Sequence, residues 1–425
     1  MASFQFLLFC SFINFLYLIH AEISFASLQD LVLLPVSKDL ATLQYMTQIY
    51  HGTSGMPTKL VIDLGGPFLW HDCSSGKVSY EHLIPSCSIQ CAMAKKFHTE
   101  QKNCFSDTSR SEEQYPSTCD ISTRNGITRS RTRGELAEDV IAVRTVDGTK
   151  SGKIVEIDNF LFACASTALL DGLAGGAQGM LGLGRTPIAL PSQLAAKFDL
   201  DKKFAACLSS SNGVILFGNS GSFFGPEILN SLTYTPLLTN PSGESQEYLI
   251  NVRSIRINGK RLALGQGGFK GGTKISTTVP YTTLESSIYS TFIKAYTKAA
   301  NSMNLTRVDP EPSSPFGLCF SSKGIANTIM GPMVPAIDLV LQSEMVKWRI
   351  HGRNSMVQVS DEMMCLGLLD GGLESENSIV IGGFQLEDTL LEFDLGNSML
   401  GFSFPILMRQ TSCSSFLDSM GKDSL

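Results

Sequence analysis

The chain has little of what marks a metal centre, a membrane span or a nucleic-acid surface. None of its 11 cysteines forms a Cys-x-x-Cys pair and its 6 histidines are scattered, which argues against zinc even though Cys87 and Cys91 are near neighbours. No metal and no cofactor are expected. Charged residues make up only 17% of the chain and the formal net charge is -6, so neither nucleic acid nor an anionic membrane surface is an expected partner. Only one long apolar run is present, from Phe4 to Ile19, and it falls short of the roughly 20 residues that a spanning helix needs. No Lys or Arg precedes it. The first charge is Glu22, and Ala21, Ser24 and Ala26 offer small residues for cleavage, so residues 1–26 read as a secretory signal peptide. The mature protein is then expected outside the cell, free of the membrane.

Export changes the meaning of the cysteines. Removing the leader discards Cys10 and leaves an even set, Cys73, Cys87, Cys91, Cys104, Cys119, Cys164, Cys207, Cys319, Cys365 and Cys413, which argues for disulfides in connectivities the spacing cannot choose among. Asn304-Leu305-Thr306 is a glycan acceptor, whereas Asn240 is blocked by Pro241.

A chain of 425 residues suits two lobes of about 200 residues each. Pro236, Pro241, Ser242 and Gly243 interrupt the patterns between Thr235 and Gln246, placing the lobes at 27–234 and 235–425. Short β-branched runs are punctuated by Asn125-Gly126, Asp147-Gly148, Asn212-Gly213 and Asn258-Gly259, pairs that supply the positive φ of tight hairpins, so the fold is expected to be mostly β. Tyr248 to Ile257 alternates like one half-buried strand entering the last of these turns. Helical signals are few. Ile288, Phe292, Tyr296 and Ala300 recur every four residues and predict an amphipathic helix from Glu285 to Ala300; Pro191 opens a second, shorter one.

The chain also holds an internal repeat with one member altered. Val61-Ile62-Asp63-Leu64-Gly65 is echoed by Lys274-Ile275-Ser276-Thr277-Thr278, and each is followed at a similar interval by an apolar run ending in glycine, Met180 to Gly184 and Ile379 to Gly383. A repeat this long implies two lobes rather than a solenoid, with a cleft between them as the natural site. Only the first copy carries an acid.

These segments resemble the pepsin-like aspartic proteases, a two-lobed β-barrel fold in which each lobe offers an Asp-Thr-Gly or Asp-Ser-Gly loop to a central cleft. Leu60 to Trp70 is similar to the first loop, and Gly179 to Arg185, Val214 to Gly218 and Ser378 to Gly383 to other strands of that fold. Within the group, Ser192 to Ala195, Thr277 to Glu285, Gly352 to Val357 and Gly383 to Asp388 resemble the plant proteins represented by basic 7S globulin, extracellular dermal glycoproteins and the xylanase and xyloglucanase inhibitors. The resemblance covers essentially the whole mature chain. It implies a secreted, cysteine-bridged protein of the cell wall or apoplast, commonly without peptidase activity, with glycoside hydrolases as partners. It also implies the bridges Cys319–Cys365 and Cys207–Cys413, with one pair fewer than the subgroup's usual complement.

Aspartic-protease chemistry needs two carboxylates that share a proton, one activating water while the other protonates the carbonyl oxygen. Ser276 stands where the second should be, so Asp63 and Ser276 form a degenerate dyad, and losing acid–base participation of this kind costs on the order of 10² to 10⁴ in rate. Leu64 replaces a threonine that ties the loops together in the family, which predicts a looser first loop, and the flap-like segment Asn125 to Gly134 has no tyrosine. Asp394 and Asp370 lie in turn-forming strings and do not replace the missing acid. Arg124, Arg129, Arg131 and Arg133 crowd that flap-like segment. They suit a solvated hairpin or, more sharply, a surface that engages carboxylates of a partner. Glycine-rich Leu264 to Lys274 and proline-rich Val308 to Phe316 are further candidate contact loops. The expected function is inhibition of a cell-wall glycoside hydrolase by occlusion, with an active endopeptidase and a storage or peptide-binding protein as the alternatives.

Overall fold

A computed structural model describes residues 31–74, 82–95, 118–147, 150–238, 246–264 and 269–418. Residues 1–26, Cys104, Gly148 of the expected Asp147-Gly148 turn and the middle of the glycine-rich loop lie outside these residues. The first lobe is built from β1 (Leu31–Lys38), β2 (Tyr45–His51), β3 (Met56–Asp63), β4 (Trp70–Asp72), β5 (Asp120–Arg124), β6 (Arg131–Asp147), β7 (Lys150–Ala165) and β8 (Gly179–Gly182). They belong to a 13-stranded sheet that continues through Asn212–Phe217 and Lys203–Cys207 to Leu390–Asp394 and Met399–Phe402, so the end of the chain returns to pair with the first lobe. The second lobe is assembled from smaller sheets, and the architecture is mostly β and pepsin-like.

Strand character follows local sequence. Leu31 to Leu34 are buried in succession, as a strand covered on both faces requires. At the seam between the lobes Phe393 stacks on Phe204 at 4.7 Å, Tyr248 lies 4.5 Å from Phe393, and the Tyr248 hydroxyl donates to Leu183 O at 2.6 Å. The four-residue apolar spacing forms the helix Ser286–Ser302, with Ile288, Phe292, Tyr296 and Ala300 buried. Glu285 caps it, accepting from the Ser287 and Ile288 amides. Pro191 lies in the first turn of the helix Leu190–Phe198.

Three local expectations need correction. The stretch from Tyr248 to Ile257 is two strands, Tyr248–Ile250 and Ser254–Ile257, belonging to different sheets. Between them the chain changes partner, with the Arg253 amide donating to Val340 O. Asn258-Gly259 makes the expected turn, φ 46° and 77°, joining Ile257 to Lys260. Asn212-Gly213 does not: both residues sit inside a strand, and a side chain at Gly213 would meet Cys207 O at 2.4 Å. There glycine serves strand packing. In the turn after Asn125 the residue with positive φ is Arg129.

Disulfides staple both lobes. Cys73 pairs with Cys164 beside β4 and β7, Cys91 with Cys119, and Cys319 with Cys365 across neighbouring strands of the second lobe. Cys207–Cys413 fastens the C-terminal helix Cys413–Asp418 to the sheet. Cys87 is disulfide-bonded as well.

Candidate functional site

The repeat read in the sequence is a repeat of backbone pairing. β3 runs parallel to β8 with Asp63 opposite Gly182, and Thr273–Ile275 runs parallel to Ile379–Ile381 with Ile275 opposite Ile381. Each second run ends in glycine because another loop presses on it. A Cβ at Gly182 would lie 2.4 Å from Phe68 O, and one at Gly382 would lie 2.4 Å from the carbonyl carbon of Tyr281. Two equivalent loops thus meet at the interface of the lobes.

Thr277 joins them. Its hydroxyl donates to Ile62 O at 2.7 Å and accepts from the Leu64 amide at 3.2 Å, so a second-lobe side chain holds first-lobe backbone on both sides of Asp63. Leu64 offers no reciprocal bond but is buried, 1% exposed. The first loop therefore keeps one half of the tie, and the looser loop expected from Leu64 is offset by packing and by Thr277.

Asp63 accepts the Gly65 amide at 3.0 Å on Oδ1. Burial pushes its carboxyl above the usual aspartate range, and Glu247 adds to that, while Lys274, the Gly65 amide and Arg124 act in the opposite sense. Ser276 is 2% exposed. Its hydroxyl lies 3.0 Å from that of Thr278 and accepts the Thr278 amide at 3.2 Å.

Glu247 is the residue that the repeat could not reveal. It precedes the strand Tyr248–Ile250, far in sequence from either loop, and its Cγ lies 3.2 Å from where a Gly65 Cβ would stand. A second carboxylate therefore borders the first loop from the other lobe. It is held by Lys274, Nζ to Oε1 at 2.5 Å. The sequence signal was the cross-strand neighbourhood of Tyr248 and Ile275, which becomes visible only once the strand register is known.

The hairpin of β5 and β6 lies over Asp63. A Cβ on Gly126 would stand 2.5 Å from Asp63 Oδ2 and 3.0 Å from Thr278 Cγ2, which places the turn backbone on both loops. Asn125, fully buried, locks the turn: its Nδ2 donates to Leu169 O and Asp171 O, and its Oδ1 accepts the Ile127 and Thr128 amides. Trp70 Nε1 donates to Arg124 O at 3.0 Å, tying the hairpin to the strand that follows the Asp63 loop.

The four arginines separate into two environments. Arg124 is half-buried and acts on Asp63 electrostatically, whereas Arg129, Arg131 and Arg133 are exposed. Arg131 stands opposite Arg124 in the ladder and Arg133 opposite Ser122, so Arg124, Arg131 and Arg133 share a face. Asn304 is exposed just beyond the helix Ser286–Ser302, with φ 60°. Asp394 accepts the Asn397 amide and side chain in a turn, and Asp370 accepts the Gly372 amide. Among the described residues no group of three or more His, Cys, Asp or Glu is arranged to hold a metal, and no helix is long and apolar enough to cross a membrane.

Comparison with known proteins agrees with this geometry. The family models described as xylanase inhibitor N-terminal and xylanase inhibitor C-terminal match residues 45–219 and 247–404. The chain is 47% identical to a probable aspartic proteinase GIP2 of Nicotiana benthamiana, over 91% of each, and 42% identical to gamma conglutin 1 of Prunus dulcis, over 91% of this chain and 89% of that protein. Among solved structures it superposes on a crystal structure of edgp with TM-score 0.82 and 45% identity, covering 91% of this chain and 98% of that one. Basic 7S globulin from soybean gives TM-score 0.77 and 34% identity over the same shares. The chain therefore belongs to the xylanase-inhibitor family of pepsin-like proteins, whose paired N- and C-terminal domains it carries in order.

Proposed function

We propose that this protein is a secreted, non-catalytic member of its family that binds and inhibits a cell-wall glycoside hydrolase. The observation that carries the reading is the position of Gly126. With a Cβ position 2.5 Å from Asp63 Oδ2 and a C–C bond of about 1.5 Å, the turn backbone lies within about 4 Å of the acid. That leaves no layer for a substrate peptide. Ser276 cannot share a proton, and Glu247, which borders the Asp63 loop, is engaged by Lys274.

Binding is supported by the exposed arginine face of the same hairpin. Like charges placed opposite each other, as Arg124 and Arg131 are, weaken a hairpin until an anion joins them. Paired carboxylates in the cleft of a glycoside hydrolase fit that requirement, because guanidinium binds carboxylate in two-point fashion. Membership of the xylanase-inhibitor family favours such a partner. Export to the apoplast is supported by the disulfides and the apolar leader, a glycan at Asn304 by its exposure, and the lobes divide near residue 235. The names gamma conglutin and basic 7S globulin favour a second reading as a seed storage protein.

The test is two assays on the purified protein. Acid-denatured protein substrate should remain uncleaved with or without pepstatin; pepstatin-sensitive cleavage abolished by Asp63→Asn would overturn the non-catalytic reading. Secreted xylanases and xyloglucanases should be captured and inhibited. Capture of none, with the protein abundant in seed, would favour storage.

A further inference from the structure

A cluster of rings in the core of the first lobe has no part in the site described above. His51 ends β2 and His71 lies in β4. Their ring centroids are 4.7 Å apart, edge to face, and both pack on Phe162 of β7, His71 stacked at 4.9 Å and His51 edge-on at 4.8 Å. Each imidazole is 3% exposed. Nε2 of His51 makes no hydrogen bond among the described residues, and Asp139 Oδ2 from β6 stands 3.9 Å from it, too far to satisfy it. His71 Nδ1 lies 3.2 Å from Asp72 O, and Cys73 Sγ is 4.0 Å from both ring nitrogens. A cavity of about 490 Å³ adjoins the pair, lined by His51, His71, Lys59, Asp72, Gln48 and Gln178, and provides a route for protons.

We propose that His51 and His71 form a proton-operated release for the strands that carry the Asp63 loop. Two buried imidazoles whose carboxylate neighbours, Asp139 and Asp72, only weakly oppose burial are stable when neutral. Two imidazolium ions at this separation repel each other and lose their hydration. Lys59, the cation from β3, offers no compensation; Asp139 and Asp72 are the only facing anions among the described residues. Relief comes from moving a ring towards the cavity, which separates the end of β2 from β4. β2 leads through residues 52–55 into β3 and thence to Asp63, while β4 begins at Trp70, the residue that anchors the hairpin. The Cys73–Cys164 bridge keeps β4 on β7, so the release is local rather than an unfolding of the lobe.

The direction of the response follows from proton linkage. Burial lowers both histidines. The neighbouring His51 lowers His71 further, to about 4, while Asp139 partly opposes the effect at His51. The opened state therefore binds more protons than the closed one between the ordinary histidine value of about 6.5 and about 4, and opening grows as pH falls through that window. Each histidine contributes up to about a tenfold rise in the opening constant per pH unit.

The experiment is amide hydrogen exchange on the intact protein at pH 7 and pH 4.5, corrected for the intrinsic exchange rate. Protection in β2 and β4 should fall by tenfold or more, while Thr273–Ile275 and Ile379–Ile381 of the second lobe keep theirs. The variant His51→Gln/His71→Gln should show no such fall. Equal protection at both pH values in the wild type, or an equal fall in the variant, would overturn the proposal. Nuclear magnetic resonance titration of the two imidazoles in the wild type tests it without any substitution. Midpoints well below 6.5, with that of His71 near 4, support it; ordinary midpoints for both refute it.

Discussion

Thr277 does more to hold the candidate site than the acid beside it. One hydroxyl satisfies the Ile62 carbonyl and the Leu64 amide across the lobe interface, in a place where water cannot replace it. Thr277→Val keeps the shape and strands both backbone groups, so it should cost about 1–3 kcal/mol in urea unfolding, whereas Thr277→Ser should recover most of that. Asp63 behaves oppositely. Its carboxyl is raised by burial, so the folded state binds the proton more tightly than the unfolded chain does. Its contribution is present in full below the ordinary aspartate range and is lost as pH rises through the raised value. Asp63→Asn preserves the acceptor for the Gly65 amide and should stabilise the protein above pH 4, by up to about tenfold in the unfolding constant per unit across the window, with no gain below it. Denaturation at pH 3, 5 and 7 checks this. Asp63 and Ser276 were visible in the sequence because the repeat is local. Glu247 was not, since its place beside Gly65 depends on a register that joins Tyr248 to Ile275.

The hairpin of β5 and β6 combines a packed tip with a strained face. At the tip, Gly126 has no room for a side chain; Gly126→Ala should force the turn away from Asp63 and Thr278 at a cost of about 1–3 kcal/mol, read as lost amide protection in β5. On the face, Arg131 opposes Arg124, so Arg131→Glu should stabilise the hairpin by about 0.2–1 kcal/mol while weakening capture of a glycoside hydrolase at least tenfold. Unchanged capture would remove this face from the proposed interface. Elements with strong internal signals were legible: the helix Ser286–Ser302 follows from one apolar stripe. Elements whose identity depends on neighbours were not. The alternation from Tyr248 to Ile257 is continuous in sequence, yet the chain leaves one sheet for another between Ile250 and Ser254, and no local pattern encodes that change of partner. Asn212-Gly213 misleads for the same reason, because its glycine answers to the carbonyl of Cys207 in the adjacent strand.

The lobes are joined by more than the sheet that runs between them. Lys38 at the end of β1 contacts Glu387 of the second lobe, Nζ to Oε1 at 2.6 Å, with the two side chains 8% and 7% exposed. The Tyr45 hydroxyl donates to the same carboxylate at 2.9 Å, and the Lys38 ammonium lies 5.6 Å from the Tyr45 ring centre. Burial, and then the charge of Glu387, push the Tyr45 phenol well above its ordinary range, which favours the protonated, donating form. A buried pair of this kind contributes little net stability relative to apolar residues, but removing one member leaves the other charged and dry. Lys38→Met should therefore cost about 3–5 kcal/mol, and Lys38→Met/Glu387→Gln should restore much of the loss because Tyr45 can still donate to the glutamine oxygen. The second lobe is anchored separately by Cys207–Cys413 and by the pairing of Leu390–Asp394 with Lys203–Cys207. The single variant should thus loosen the contact without parting the halves. Calorimetry separates these outcomes: one transition shifted to lower temperature for Lys38→Met, and largely recovered in the double variant, fits a latch within one cooperative unit. Two resolved transitions in the single variant would instead mean that this pair alone couples the lobes.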